Sequence, residues 1–147
     1  MRIIEDNERS PLLIEQLLHV WENSVKATHL FLSVHEIEII KKYVPQALED
    51  LSHLIVAEDE NKRPVAFMGI EEQKLEMLFV LSEERGKGLG KKLIQYGIEK
   101  YSINELAVNE HNPLAKGFYE HMGFHVYKRT EHDEQGNPYP LLYMKLY

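Results

Sequence analysis

The segment VLSEERGKGLGKKLI, Val80–Ile94, carries three glycines at alternate positions, Gly86, Gly88 and Gly90, with basic residues around them. A strand-like stretch, QKLEMLFVL, Gln73–Leu81, runs into it. A helical pattern leaves it, with Leu93, Ile94, Gly97, Ile98 and Tyr101 on one face. A glycine-rich turn between strand and helix leaves backbone N–H groups free at the helix N-terminus, where the helix dipole adds positive charge. Such a turn holds an anion. Which anion it holds decides both fold and function.

Two familiar phosphate loops fail on spacing. A Walker A loop needs a glycine five positions before its Gly-Lys pair and a Ser or Thr after it. Here Gly90-Lys91 has Arg85 at the first position and Lys92 at the second. A dinucleotide fingerprint needs G-x-G-x-x-G after a first strand. Here the spacing is G-x-G-x-G, and at least three strand-like segments precede it. What remains is R-x-x-G-x-G, Arg85 to Gly90.

Outward from the loop, the chain alternates between strand and helix patterns. MRIIE reads as a short strand. Ser10-Pro11 gives a helix N-cap followed by a first-turn proline, opening a helix to about Val25. ATHLFLS, Ala27–Ser33, reads as a connector, and Val34–Asp50 as helix divided or kinked at Pro45. LSHLIVAED and PVAFMGI form a hairpin across ENKR. Beyond the glycine segment, INELAV is a short strand and Asn112-Pro113 opens a last helix, which Gly123 ends. FHVYKRTE and PLLYMKLY are two more strands, joined by a turn around DEQGNP. The expected architecture is a single α/β (α+β) domain over residues 1–147, with a mixed sheet of about seven strands and helices on both faces.

Composition narrows the function. The 147 residues suit one domain, with no repeat or linker, and 44% hydrophobic with 28% charged residues is an ordinary soluble balance. No apolar run approaches the roughly 18 residues of a membrane span, and MRIIEDNERSP is no signal peptide. A cytoplasmic protein without a membrane partner is expected. Zero Cys removes disulfides, thiolate metal sites and a Cys nucleophile. Eight His include the i, i+4 pair His121 and His125, but Gly123 breaks the helix between them and HExxH is absent, so no metal is expected. Lys+Arg 17 against Asp+Glu 24 gives a net charge of −7, which argues against nucleic acid. Arg85, Lys87, Lys91 and Lys92 nevertheless cluster at the loop, which points to a small polyanion.

The R-x-x-G-x-G turn resembles the pyrophosphate loop of the GNAT family of N-acetyltransferases. A second segment, VNEHNPLAKGFYEHMGF, Val108–Phe124, resembles that family's other cofactor-contacting element: an Asn after the fifth strand, a helix with Phe-Tyr, then Gly-Phe. VWENSVKATHLFLS and GNPYPLLYM are similar to a bacterial subgroup of the family. The resemblance thus covers essentially the whole chain, and it names the anion as the pyrophosphate of coenzyme A.

The resemblance implies a set of roles. Main-chain groups of Leu78, Phe79 and Val80 would pair with the pantetheine arm. Gly86, Lys87, Gly88, Leu89, Gly90 and Lys91 would supply amides to the pyrophosphate, with Arg85 adding charge. Asn109 would bond the pantetheine or mark the splayed strand edge, the alternative being an ordinary turn residue. Asn112 would contact the cofactor, the alternative being that its work as helix N-cap already accounts for it. Tyr119 matches the family's general acid toward the leaving thiolate, one step off the Phe118/Met122 stripe expected in the core. Acetyl-CoA would acetylate a primary amine by direct attack, the acceptor being a small molecule or a protein or peptide amine. Making a lysine-like amine neutral at pH 7 costs about 4–5 kcal/mol, so a base helps. Glu76 is the candidate, because period-2 alternation sets it on the face of Leu78 and Val80. Trp21, His29 and Tyr143 are candidate acceptor-pocket residues. The rival reading is a non-catalytic acyl-CoA-binding or sensor module on the same fold. Monomer and homodimer both remain open.

Overall fold

The computed structural model describes residues 1–147, and it forms one seven-stranded sheet in the order β1-β2-β3-β4-β5-β7-β6. The strands are β1 (Arg2–Glu5), β2 (His53–Glu58), β3 (Pro64–Glu71), β4 (Lys74–Val80), β5 (Glu105–Asn109), β6 (Phe124–Thr130) and β7 (Leu141–Leu146). The helices are α1 (Pro11–Thr28), α2 (Val34–Lys41), α3 (Val44–Asp50), α4 (Leu89–Tyr101) and α5 (Pro113–His121). Every neighbouring pair is antiparallel except β4 and β5, which run parallel. The expected mixed sheet with helices on both faces is the observed one. No helix is long and apolar enough to cross a membrane.

Local chemistry sets the helix boundaries. Ser10 accepts from the Leu13 N–H and Pro11 begins α1. Ser33 and Glu36 form a reciprocal capping box on α2, satisfying two amides that the first turn leaves unpaired. Pro45 sits in the first turn of α3, where its missing N–H costs nothing, so the divided reading of Val34–Asp50 holds. α1 runs three residues past Val25. Its extra turn closes when the His29 N–H reaches the Val25 carbonyl at 2.8 Å.

β3 lies at the centre, and Pro64 through Ile70 are all buried, as a strand covered on both faces requires. Consecutive residues of this strand separate the two helical layers. Met68 lies beneath Gly97 of α4, where an added Cβ would stand 3.1 Å from its Cε. Phe67 stacks on Phe79, whose ring in turn neighbours His29 at the end of α1. Since successive strand residues point to opposite faces, α4 and α1 cover opposite sides of the sheet. Trp21, Leu17 and Val20 bury on the α1 side, and Leu93 and Ile94 on the α4 side.

Candidate active site

β4 and β5 pair only at Lys74↔Glu105 and Leu75↔Leu106. Beyond that point the two parallel strands diverge, and the ladder groups facing the gap lose their partners. A cavity of about 140 Å³ fills the wedge, walled by Leu75–Phe79 on one side and Leu106–Asn109 on the other. A larger cavity of about 480 Å³ adjoins it, bounded by the glycine loop, the end of α1 and α5. Six residues line both: His29, Leu78, Phe79, Asn112, Ala115 and Tyr119.

The glycine loop is built as an anion cradle. Gly86 and Gly88 take φ of +83° and +80°, a left-handed conformation that a Cβ disfavours. Gly88 caps α4 without a side-chain bond. None of the amides from Gly86 through Lys91 donates to any acceptor within the chain, and the first bond of the helix is Lys92 N–H to the Gly88 carbonyl at 3.0 Å. An added Cβ at Gly86 or Gly88 would meet nothing within 4 Å, so the cradle is open on its outer side. At Gly90 the same atom would lie 3.5 Å from the Phe118 ring, which therefore closes the floor of the cradle.

The basic residues divide. Arg85 and Lys91 line the larger cavity. Lys87 does not: its ammonium is 3.0 Å from the Glu84 carboxylate, which spends its charge on a neighbour. Lys92 is exposed and lies outside the cavity wall. Leu89 is buried, so its contribution toward an anion is its amide alone.

Tyr119 is half-buried, with its ring edge-on to Phe118 and Phe124. Its hydroxyl makes no bond within the chain and is not sealed off, and burial pushes its pKa well above the usual phenol value. Phe118, expected in the core, packs against it and also lines the larger cavity. Asn109 accepts from the His111 N–H at 2.8 Å, a turn made by its own side-chain oxygen, while still lining the smaller cavity. Asn112 caps α5 by accepting from Ala115 at 3.3 Å.

Glu76 lines the smaller cavity, but not for the expected reason. Met77 faces Gly69 and Leu75 faces Ile70, so Glu76 is the extra residue of a β-bulge. The bulge interrupts the period-2 alternation that linked Glu76 to the face of Leu78 and Val80. Its carboxylate turns toward Lys74, 3.7 Å away, which also lies 3.6 Å from Glu134. Burial lowers the Lys74 pKa, but these two carboxylates outweigh it and the net shift is upward.

Of the three acceptor-pocket candidates, His29 alone lines these two cavities. Trp21 is a correction: it is 4% exposed, held in the core by the apolar face of α1 at the same spacing as Leu17 and Val20. Tyr143 lines neither of these two cavities, but on β7 it pairs with Ala107 of the smaller cavity's wall, with Lys128 over its ring at 5.1 Å. Sequence reading also passed over Thr28 and Ser24, which line the larger cavity from the last turns of α1. The three-residue extension of α1 carries Thr28 there, and no composition signal marks it.

No group of three or more His, Cys, Asp or Glu is placed to hold a metal ion. A row of free amides at a helix start, a splayed parallel edge and a long two-part cleft fit an elongated phosphorylated thioester such as acyl-CoA. Fold and site together define an acyl-CoA-dependent transferase.

The sequence profile of the acetyltransferase (GNAT) domain matches residues 20–146, and the chain belongs to this family. It is 39% identical to the peptidyl-lysine N-acetyltransferase YjaB of Escherichia coli (strain K12) over 132 residues, 87% of this chain and 86% of that protein. The solution structure of apo-form YjaB from Escherichia coli matches with a TM-score of 0.86 at 35% identity, covering 99% of this chain and 97% of that one. The PaiA N-acetyltransferase of Thermoplasma acidophilum, solved in complex with coenzyme A, shares the fold at a TM-score of 0.72 and 23% identity over 100% of both chains. The protein is an N-acetyltransferase that uses acetyl-CoA as co-substrate and an amine as acceptor.

Proposed function

We propose that the acceptor amine is the side-chain amine of a lysine in a peptide or protein, delivered to the junction of the two cavities. The observation that carries this reading is the name shared by two relatives: the YjaB proteins of Escherichia coli and Salmonella typhimurium, at 39% and 38% identity over 87% of this chain, are both peptidyl-lysine N-acetyltransferases. The site is consistent with it. The connection between β6 and β7, residues 131–140, holds Glu131, Asp133 and Glu134 and no Lys or Arg, and its Glu134 shares Lys74 with Glu76 of the smaller cavity, an acidic setting that suits a cationic acceptor.

In this reading, amides of Gly86–Lys91 hold the pyrophosphate with Arg85 and Lys91 beside them, and the unpaired edge at Leu78, Phe79 and Val80 holds the pantetheine arm. The bound co-substrate supplies an activated acetyl group as its thioester. Fixing that group beside the amine converts a bimolecular encounter into a local one. Tyr119 serves the leaving sulfur: its raised pKa keeps the hydroxyl protonated, so it donates to the charge that develops there. Glu76 supplies negative charge at the far end of the slot, drawing the ammonium inward and standing as one candidate for its proton.

The test is free-thiol release from acetyl-CoA with lysine peptides, α-amino peptides blocked at lysine, polyamines and aminoglycosides. Lysine peptides are expected to give kcat/KM at least tenfold above the others. A polyamine or aminoglycoside leading the panel overturns the acceptor assignment.

A further inference from the structure

Of the six residues shared by both cavities, only His29 and Tyr119 titrate. Tyr119 answers the needs of the leaving sulfur. His29 is held in a way that fixes which of its nitrogens is a base. Its Nδ1 lies 2.8 Å from the Thr28 hydroxyl oxygen, and that oxygen lies 2.7 Å from the Ser24 carbonyl oxygen. A carbonyl oxygen can only accept, so the one hydroxyl proton of Thr28 must occupy the contact to Ser24. The ring therefore donates from Nδ1 to the Thr28 oxygen. In a neutral imidazole this leaves the lone pair on Nε2. Nε2 makes no bond within the chain and is not sealed from solvent.

The surroundings favour the neutral ring. His29 packs against Phe31 at 5.6 Å and Phe79 at 6.4 Å between centroids, and burial holds its pKa below the ordinary imidazole value of 6.5. The charged or titratable groups around the junction are Tyr119 from α5, Glu76 from β4, Glu84 and Arg85 before the loop, and Lys91 from α4. His111, stacked on Phe31, completes the set. None of them hydrogen-bonds the ring. Glu76, by contrast, lines only the smaller cavity and leans on Lys74.

We propose that Nε2 of His29, oriented by Thr28 and the Ser24 carbonyl, accepts the proton that the acceptor amine loses during acetyl transfer. The amine nitrogen forms the new N–C bond to the acetyl carbon as the C–S bond breaks. One N–H proton passes to Nε2, directly or through a water, giving an imidazolium, and the departing sulfur takes its proton from the Tyr119 side. This rests on amine acetylation, and it does not depend on the acceptor being a lysine peptide.

The test is kcat against pH at saturating acetyl-CoA, using whichever amine in the panel turns over fastest. Wild type is expected to show an acidic limb below the ordinary imidazole range, well separated from a lysine's own ionisation at about 10.4. His29→Gln is expected to lose that limb and about 100-fold in plateau kcat, with acetyl-CoA affinity unchanged. Glu76→Gln is expected to keep the limb and raise KM. An intact limb in His29→Gln, or its loss in Glu76→Gln alone, overturns the proposal. Independently of any variant, nitrogen NMR of the wild-type protein is expected to find neutral His29 protonated at Nδ1, and protonation at Nε2 overturns it. A panel led by a polyamine sinks the acceptor reading but leaves the proton assignment measurable with that polyamine.

Discussion

A single hydroxyl separates Tyr119 from the phenylalanine that could occupy its place, and the ring packing would survive the exchange. Phe118 and Phe124 touch the Tyr119 ring edge-on, while no group in the chain bonds the hydroxyl. Tyr119→Phe therefore leaves no orphaned partner behind and should change stability little. If the hydroxyl serves the leaving sulfur, kcat should fall about 100-fold while acetyl-CoA affinity by calorimetry stays within twofold. An unchanged kcat would return Tyr119 to a packing role. Trp21 makes the opposite case at the same scale. Buried among the α1 core residues, Trp21→Ala should cost about 3–5 kcal/mol of unfolding free energy in a urea titration. KM for the acceptor should not move at a temperature where the variant is folded. A KM effect without a stability effect would restore Trp21 to the acceptor pocket.

Among the elements, the glycine turn shows how much of this site the sequence made readable. Gly86 and Gly88 have positive φ, and each has open space where a side chain would go. The intramolecular cost of Gly88→Ala is thus confined to its backbone conformation, about 1–2 kcal/mol. Acetyl-CoA affinity should fall by more than tenfold as well, because the methyl would occupy the side from which phosphates approach. Equal losses of stability and no loss of affinity would detach the turn from the cofactor. The turn, the Asn112-Pro113 helix start and the succession of strands along the chain were legible because each rests on residues adjacent in the chain. What was not legible depended on distant partners. The bulge at Glu76 arises from the β3 register, so no alternation within β4 announces it. Glu84 draws Lys87 away from the cavity, although spacing alone grouped Lys87 with Arg85 and Lys91. Trp21 was named for the acceptor pocket, but the apolar face of α1 turns it into the core, a packing choice made by distant partners. His29 was found as a pocket residue, but its tautomer became visible only once α1 extended to bring Thr28 against it.

Across the whole molecule, the net charge of −7 sits uneasily with a polyanionic co-substrate, and the arrangement of charge resolves the tension. Arg85 and Lys91 line the cavity beside the free amides, whereas Glu131, Asp133 and Glu134 gather on the β6–β7 connection. The two substrates, oppositely charged, would thus approach regions of opposite sign. Such long-range terms are screened over about 10 Å at 0.1 M salt and over about 3 Å at 1 M. Raising ionic strength should therefore increase KM for lysine peptides with basic flanks by several-fold and leave kcat nearly constant, since the reacting groups sit in fixed positions at short range, where salt screens little. Peptides with acidic flanks should show the reverse trend in KM. Charge reversal at Glu131 and Glu134, both exposed on that connection, should flatten the salt dependence for basic peptides without altering acetyl-CoA affinity. A KM insensitive to both salt and these substitutions would mean that the acidic connection does not guide the acceptor and that selectivity is set within the slot alone.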